Sequence, residues 1–215
     1  DSNSKTTDNY GYVIDAQITS SGFSDNVPSL QIIYKDGTIG TYDFQGTVTI
    51  DNPSEEIQKL VGDNSDSVSF KYKDYSVDAM TEAINTMAGT VITYNATNGY
   101  IKSITMAALN ATTDDSTLVL EKADTANASS FDEDTKQLRV GGTKKYDIAD
   151  DTLVFYIGKS GDSFVYNQPA AGEPSENCSI GVGADLGTND GFSSVVYRNG
   201  DENGTASVVV MYNTD

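Results

Sequence analysis

Residues 30–44 read LQIIYKDGTIGTYDF, two apolar runs joined by a turn around Asp36-Gly37. Asp-Gly between alternating apolar runs is a strong hairpin signal, because the turn needs residues that tolerate positive φ angles. The stretch therefore predicts two antiparallel strands. A related stretch occurs later, where residues 142–155 read GTKKYDIADDTLVF, again a glycine-containing turn, Tyr-Asp and an apolar run.

The segments that follow these two stretches also correspond. Residues 91–105 and 195–212 each predict a closing hairpin around an Asn-Gly-containing turn. The matched order indicates a duplicated β unit, and the alternative is that unrelated hairpins resemble one another. Residues 110–115 are polar and rich in turn formers, so we expect a domain boundary there, between β domains at 10–113 and 114–215. Residues 1–9 are expected to be a disordered or linker N-terminus.

Two short helices are predicted in the first domain. Ser54 is a suitable N-cap for residues 55–60, which Gly62 ends, and Asp78 begins a second helix that runs to Met87. The second helix has an apolar stripe that is spaced to cover a β core. The predicted fold class is therefore mainly β, with two sequential small β-sheets or partly open barrels and one or two helices in the first; a single long sandwich is the alternative.

Charge excludes several classes of function. The chain has 13 Lys and Arg against 32 Asp and Glu, a net charge of −19, with no His and a single Cys. Such a charge opposes binding to phosphate backbones and anionic lipids, so we expect no nucleic-acid partner. No window approaches the length of a membrane span, so no membrane insertion is expected. Without His, a Ser-His-Asp triad and a histidine-ligated zinc site are both excluded.

Carboxylate chemistry is the catalytic option that remains. A glycosidase needs two carboxyl groups that flank a sugar. Neighbouring acids occur at predicted turns and helix starts, where Asp and Glu commonly accept backbone hydrogen bonds; they are Glu55/Glu56, Asp114/Asp115, Asp132/Glu133/Asp134 and Asp150/Asp151. The structural role is favoured because Trp, a frequent lining residue of sugar clefts, is absent. No catalytic residue is therefore assigned.

A structural Ca²⁺ ion is the one cofactor that the sequence leaves open. Clustered oxygen ligands occur at residues 63–66, 132–134 and 201–204. None of the three completes a twelve-residue calcium loop with its bidentate Glu. No metal-binding or cofactor-binding residue is therefore assigned.

Aromatic residues offer a binding function. Tyr34, Tyr42, Tyr94 and Tyr146 occupy alternating strand positions, where cross-strand packing accounts for them. Other aromatic residues lie at the ends of predicted segments, where exposed rings stack on sugars. The candidate glycan contacts are Tyr72, Tyr75, Phe164 and Tyr166.

Four segments carry a resemblance to a known group of proteins: residues 10–16 (YGYVIDA), 30–44, 91–104 and 137–155. Together they resemble the non-catalytic, β-rich region of S-layer-homology-type cell-surface proteins of anaerobic Gram-positive bacteria. The resemblance implies a display or spacer region of a secreted protein at the cell surface or cell wall. Its partners would be other domains of a larger surface protein and cell-surface or host glycans.

The sequence therefore predicts a non-enzymatic structural or interaction module of a secreted or cell-wall-associated bacterial surface protein. A surface glycan-binding, adhesin-like module is the first alternative. An acid-pair glycosidase is the second.

Reducing the repulsion among excess carboxylates should stabilise this acidic chain. Carboxyl groups crowded by like charges have pKa values above those of the unfolded chain, so stability rises as pH falls towards these values. We expect a higher melting temperature at about pH 5 than at about pH 8 in low salt, with a smaller difference in roughly 0.5 M NaCl because salt screens the repulsion. Thermal melts under these four conditions measure both effects, and lower stability at the acidic pH would contradict the argument.

Overall fold

The computed structural model describes residues 9–19, 26–109, 120–140, 144–157, 159–160, 163–164, 178–199 and 205–212. These residues form two compact units, one up to Ala107 and one from Ala108. The expected fold class is confirmed, because β-strands dominate both units and both helices lie in the first. The predicted boundary after residue 113 and most of the predicted linker at 1–9 fall outside the described residues.

The first unit is a ring of five strands with one strand attached. Its order is β2-β1-β5-β6-β3-β4, and β2 also pairs with β3 and so closes the ring. The β3–β6 pairing is parallel and the others are antiparallel. The elements are β1 (Tyr10–Thr19), β2 (Val27–Tyr34), β3 (Ile39–Asp51), α1 (Glu55–Val61), β4 (Ser67–Lys71), α2 (Val77–Asn85), β5 (Val91–Thr97) and β6 (Tyr100–Thr105).

This ring is only partly closed. The β1–β5 pairing extends over just Tyr10–Tyr12 and Val91–Thr93. Further backbone bonds support the joint: the N–H groups of Val13, Gly89 and Tyr94 donate to the carbonyls of Thr90, Val13 and Asn9, respectively. The result is a partly open Greek-key arrangement rather than a continuous barrel wall.

The second unit has the same ring pairings and adds a short strand, β7, which pairs in parallel with β8 and has no counterpart in the first unit. Its main sheet has the order β13-β10-β15-β14-β8-β7, and β9 joins β8 to β10. The β10–β15 pairing is again parallel. The strands are β7 (Ala108–Leu109), β8 (Leu120–Asp132), β9 (Gln137–Val140), β10 (Lys144–Ile157), β13 (Cys178–Val182), β14 (Asn189–Asn199) and β15 (Thr205–Tyr212), with β11 (Lys159–Ser160) and β12 (Ser163–Phe164) as a separate hairpin.

The residue register of the two units also corresponds. In the first unit Leu30 pairs with Tyr42, and in the second Leu138 pairs with Tyr146. The aspartate after each tyrosine accepts a hydrogen bond from the neighbouring strand: Ser29 Oγ donates to Asp43 Oδ1 (2.5 Å), and Gln137 Nε2 donates to Asp147 Oδ1 (3.3 Å). The repeated Tyr-Asp step thus occupies the same place in both rings.

The long strands β3 and β10 have the same irregularity in their register against their parallel partners. Phe44 pairs with Ile101, and the next pair is Thr49 with Ser103, so five steps on β3 match two on β6. In the second unit, Ile148 pairs with Ala206 and the next pair is Leu153 with Val208. We call each of these unmatched stretches, such as the one between Ile148 and Leu153, an excursion. In the excursion of β10, the buried hydroxyl of Thr152 donates to the Ala206 carbonyl (2.9 Å) and accepts from the Ala149 N–H (3.0 Å), so this hydroxyl is fully hydrogen-bonded.

The helices follow local signals. Ser54 Oγ accepts from the Ile57 N–H, and Gly62 ends α1 with φ 77°, as predicted. The predicted start of α2 at Asp78 is wrong: Ser76 is the N-cap, Asp78 lies in the first turn, and the helix ends at Asn85 rather than Met87. The hydroxyl of Ser76 accepts from the Ala79 N–H, which leaves the carboxylate of Asp78 to interact favourably with the helix dipole.

Each unit has its own apolar core. In the first, the strand residues Val13, Ile32, Phe44 and Ile104 pack with Met80 and Ile84 of α2 and with Met87 in the turn that follows it, so the prediction that this helix covers a β core is confirmed. The second core is formed by strands, with Phe131, Leu138, Val154, Val209 and Met211 among its buried residues. Among the described residues, no helix has the length and apolarity that a membrane span requires.

Replacement of Gly183 by alanine tests how closely its backbone packs against β10. A Cβ atom there would lie 1.9 Å from the Ala149 carbonyl oxygen and 2.7 Å from Ile148 Cγ2. We expect Gly183→Ala to lower the free energy of unfolding by about 2–3 kcal/mol, because backbone atoms must move. Gly187→Ala is the control, since its nearest neighbour would be Glu133 Oε2 at 3.9 Å. Chemical denaturation should show the control within about 1 kcal/mol of the parent, and equal losses in both variants would contradict the packing argument.

Candidate functional site

Two of the four predicted glycan contacts lie beside the first core. Tyr72 is in a 3₁₀ turn after β4, and only 8% of its surface is exposed. The Tyr75 ring packs on Phe70, with centroids 5.3 Å apart and planes inclined by 34°. Burial raises the pKa of the Tyr75 hydroxyl, and nearby Asp74 adds to the effect. Packing accounts for most of the surface of these two side chains.

Tyr72 nevertheless lines a cavity. This space has a volume of about 420 Å³ and is also lined by Tyr100 and Lys102. The Tyr100 side chain is 50% exposed. The structure therefore places one predicted contact residue next to an exposed aromatic ring that was not among the predicted contacts.

The other two predicted contacts belong to the second unit. Phe164 is the last residue of β12, where its backbone pairs with Lys159. Tyr166 lies outside the described residues. Glycan contact by these residues stays a prediction.

Three tyrosines pack together in the first unit. The Tyr94 ring meets Tyr34 edge-on at 5.9 Å and Tyr42 at 5.7 Å with a tilt of 54°. The Tyr34 hydroxyl donates to Asn9 Oδ1 (2.7 Å). Burial, followed by the neighbouring Tyr42 and Tyr34, raises the pKa of Tyr94 well above its usual range. The packing role predicted for these tyrosines is confirmed, and so is that of Tyr146, which is buried in the second core.

Several acidic residues serve the backbone. Asp36 Oδ1 accepts from the Thr38 N–H (2.9 Å), and this bond lowers the pKa of Asp36. The side chain and then the N–H of Ser65 lower the pKa of Asp63 in the same way. Both carboxyls are therefore ionised near neutral pH, as expected for turn residues that accept hydrogen bonds.

The other paired acidic residues lie in a helix, in a turn and in a strand. Glu55 and Glu56 lie in the first turn of α1, and Asp132 Oδ1 accepts from the Asp134 N–H (2.8 Å). Asp150 and Asp151 are exposed in β10, whereas Asp114, Asp115 and residues 201–204 lie outside the described residues. Within the described part of the chain, no three acidic or cysteine side chains are grouped closely enough to hold a metal ion.

The outer face of the second ring carries a polar groove that sequence reasoning missed. Strand register aligns a row of four residues across β14, β8, β9 and β10, namely Asp190, Ser130, Arg139 and Lys145. A second row contains Asp132, Gln137 and Asp147. Residues of both rows line a groove of about 400 Å³. The core residues Leu138 and Tyr146 alternate with these rows and point to the other face.

The first unit has a corresponding groove of different character. Register places Asp15, Gln31 and Thr41 in one row and Gln17, Ser29 and Asp43 in the next. The groove is about 200 Å³, and Asp15 is only 3% exposed. Its carboxylate accepts from the Ala16 N–H (2.9 Å) and from Gln17 Nε2 (2.8 Å). Gln31 and Thr41 thus occupy the positions that Arg139 and Lys145 hold in the second unit.

The buried tyrosines should make the protein sensitive to alkali. Their raised pKa values mean that they stay protonated in the folded chain while unfolded tyrosines ionise near pH 10, so stability falls as pH rises above about 10. For Tyr94 the loss approaches about 1.4 kcal/mol per pH unit. Denaturation at about pH 8 and pH 11 should show a smaller loss for Tyr94→Phe than for the parent chain. Tyr100→Phe, at a half-exposed site, should behave like the parent, and an equal loss in all three chains would contradict the assignment.

Comparison of the chain with known protein families, with curated proteins and with solved structures finds no match. A function must therefore be inferred from the architecture of the two units and from the chemistry of their surfaces.

Proposed function

We propose that the chain is a non-enzymatic structural and interaction module of a secreted or cell-wall-associated bacterial surface protein. The observation that carries the proposal is the correspondence between the two units in strand pairing, in register and in the five-against-two irregularity. Modules that display or space other domains are commonly built by repeating one folding unit. The sequence resemblance to the β-rich region of S-layer-homology-type proteins supports the same role.

Within this proposal the two units arose by duplication of one ancestral β unit. Chance similarity between hairpins would not require Leu30–Tyr42 and Leu138–Tyr146 to occupy equivalent pairs. Nor would it require the same irregularity against the parallel partner in both units. The helices of the first unit lie between its third and fourth ring strands, where an insertion leaves the ring pairings intact.

The distribution of charge fits an exposed module. Asp36 and Asp63 are exposed, and the hydrogen bonds that they accept from the N–H groups of Thr38 and Ser65 hold the local backbone in shape. The net charge of −19 favours solubility and opposes unspecific association between copies. A module that separates other domains benefits from both properties.

Glycan binding is a second candidate function. The observation in its favour is the half-exposed Tyr100 ring beside Tyr72 and Lys102 in a cavity of about 420 Å³. An exposed aromatic face stacks on a sugar ring, and the ammonium and nearby polar groups bond its hydroxyls. Such binding is compatible with a role at the cell surface.

The proposed location can be tested with antibodies raised against the purified chain. On intact cells of the source bacterium, we expect immunogold labelling of the outer surface and recovery of the antigen in the wall or secreted fraction. An antibody against a cytoplasmic protein serves as control and should label only permeabilised cells. If the antibodies against this chain also require permeabilisation, the proposed location is wrong.

A further inference from the structure

We propose that the groove on the outer face of β8, β9 and β10 binds a saccharide that carries a carboxylate, with Arg139 and Lys145 holding the carboxylate. This inference goes beyond the structural role proposed above. It also involves neither Tyr100 nor Tyr72, so it can fail or hold independently of both functions proposed above.

The first argument is the position of the two cations. Lys145 lies directly opposite Arg139 in the antiparallel β9–β10 pair, and both side chains are exposed. The chain has only 13 cationic residues against 32 acidic ones, so two that share one cross-strand pair are conspicuous. Guanidinium and ammonium groups both form charge-assisted hydrogen bonds to a carboxylate, so the two side chains can contact the same ligand group.

The second argument is the rest of the lining. Asp190 stands at the other end of the row, and Asp132 and Gln137 lie in the second row. Neighbouring strands are about 4.8 Å apart, so the row from Asp190 to Lys145 spans about 14 Å. The carboxylates and the amide of these two rows are suited to accept hydrogen bonds from sugar hydroxyls. The volume of about 400 Å³ is typical of small-molecule sites.

The mixed charge of the lining also limits the ligand. Asp132 and Asp190 repel an extended polyanion, and the net charge of −19 adds to this repulsion. A ligand with one carboxylate and several hydroxyl groups satisfies both ends of the row. Acidic monosaccharides and the units of acidic glycans have this chemistry.

The third argument is the contrast with the first unit. There the equivalent positions are Gln31 and Thr41, and the groove has half the volume, about 200 Å³. The carboxylate of Asp15 occupies the position of Ser130 and is already hydrogen-bonded within its own strand. The first unit keeps the ring but lacks the cations, so the ring itself does not require them.

This contrast supplies the variant for the test. Arg139→Gln combined with Lys145→Thr gives the second groove the residues of the first. The full-length protein should be titrated with glucuronate, with glucose as the neutral counterpart and with inorganic phosphate as an anion without sugar hydroxyls. Salt near 0.15 M keeps the repulsion of the whole chain screened beyond about 8 Å. Heteronuclear NMR shifts report both the affinity and the residues that respond.

We expect glucuronate to shift the signals of β8–β10 residues and to bind at least about tenfold more tightly than glucose or phosphate. The double variant should lose at least about tenfold in affinity for glucuronate. Lys59→Gln combined with Lys71→Thr removes two exposed cations from the first unit and should bind like the parent. If the double variant fails to fold, Lys145→Thr alone serves, with an expected loss of about threefold or more.

Several results would overturn the proposal. They are the absence of glucuronate binding, phosphate binding as tight as that of glucuronate, and an equal loss of affinity in the control variant. Signals that shift only in the first unit would also overturn it. None of these results would bear on the surface location, which the antibody labelling tests separately.

Discussion

In each unit, one long strand, β3 or β10, holds the ring together through hydrogen bonds along both of its edges. One edge of β3 serves β2 and then β4 in succession, while the other edge pairs with β6 in parallel. Strand β10 does the same with β9, β13 and β15. Backbone groups in a buried sheet must be paired, so a strand that changes partner on one edge has to bend while it keeps its partner on the other. The excursions after Phe44 and after Ile148 provide this bend, and the remaining strands take their positions from it.

Local elements of this fold could be predicted from the sequence because their signals are local. Asp36-Gly37 and Asn98-Gly99 mark hairpins, and Ser54 with Gly62 marks a helix. The start of α2 was misplaced because Ser76 and Asp78 are both acceptable caps, and only the structure shows which one accepts from the Ala79 N–H. Parallel pairing of Phe44 with Ile101 has no local signal, since it joins residues on either side of both helices. A partly open barrel was among the predicted folds, but the parallel pairing that completes the ring could not be predicted from the sequence.

The surface features also divide into those that have a local sequence signal and those that depend on strand pairing. Alternation along the strands correctly assigned Tyr42 and Tyr146 to packing, since both are buried or half-buried beside other core residues. The pairing of Arg139 with Lys145 was missed because it exists only across strands and depends on register. A signal was nevertheless present: Lys145 immediately precedes Tyr146-Asp147, at the place that Thr41 holds before Tyr42-Asp43 in the first unit. Comparing the residues that differ between two similar units would have identified it.

The parallel pairing in each ring also affects how the chain reaches its folded state. The hairpins β2–β3 and β5–β6 join neighbouring segments and can form early, because closing a short loop costs little entropy. The β3–β6 and β10–β15 pairings join segments that are far apart in the chain, and such non-local contacts slow folding. Until they form, the edges of β3 and β10 are open to strands of other molecules. The dense negative charge of this chain is then an advantage during folding, because it keeps unfinished rings of neighbouring molecules apart.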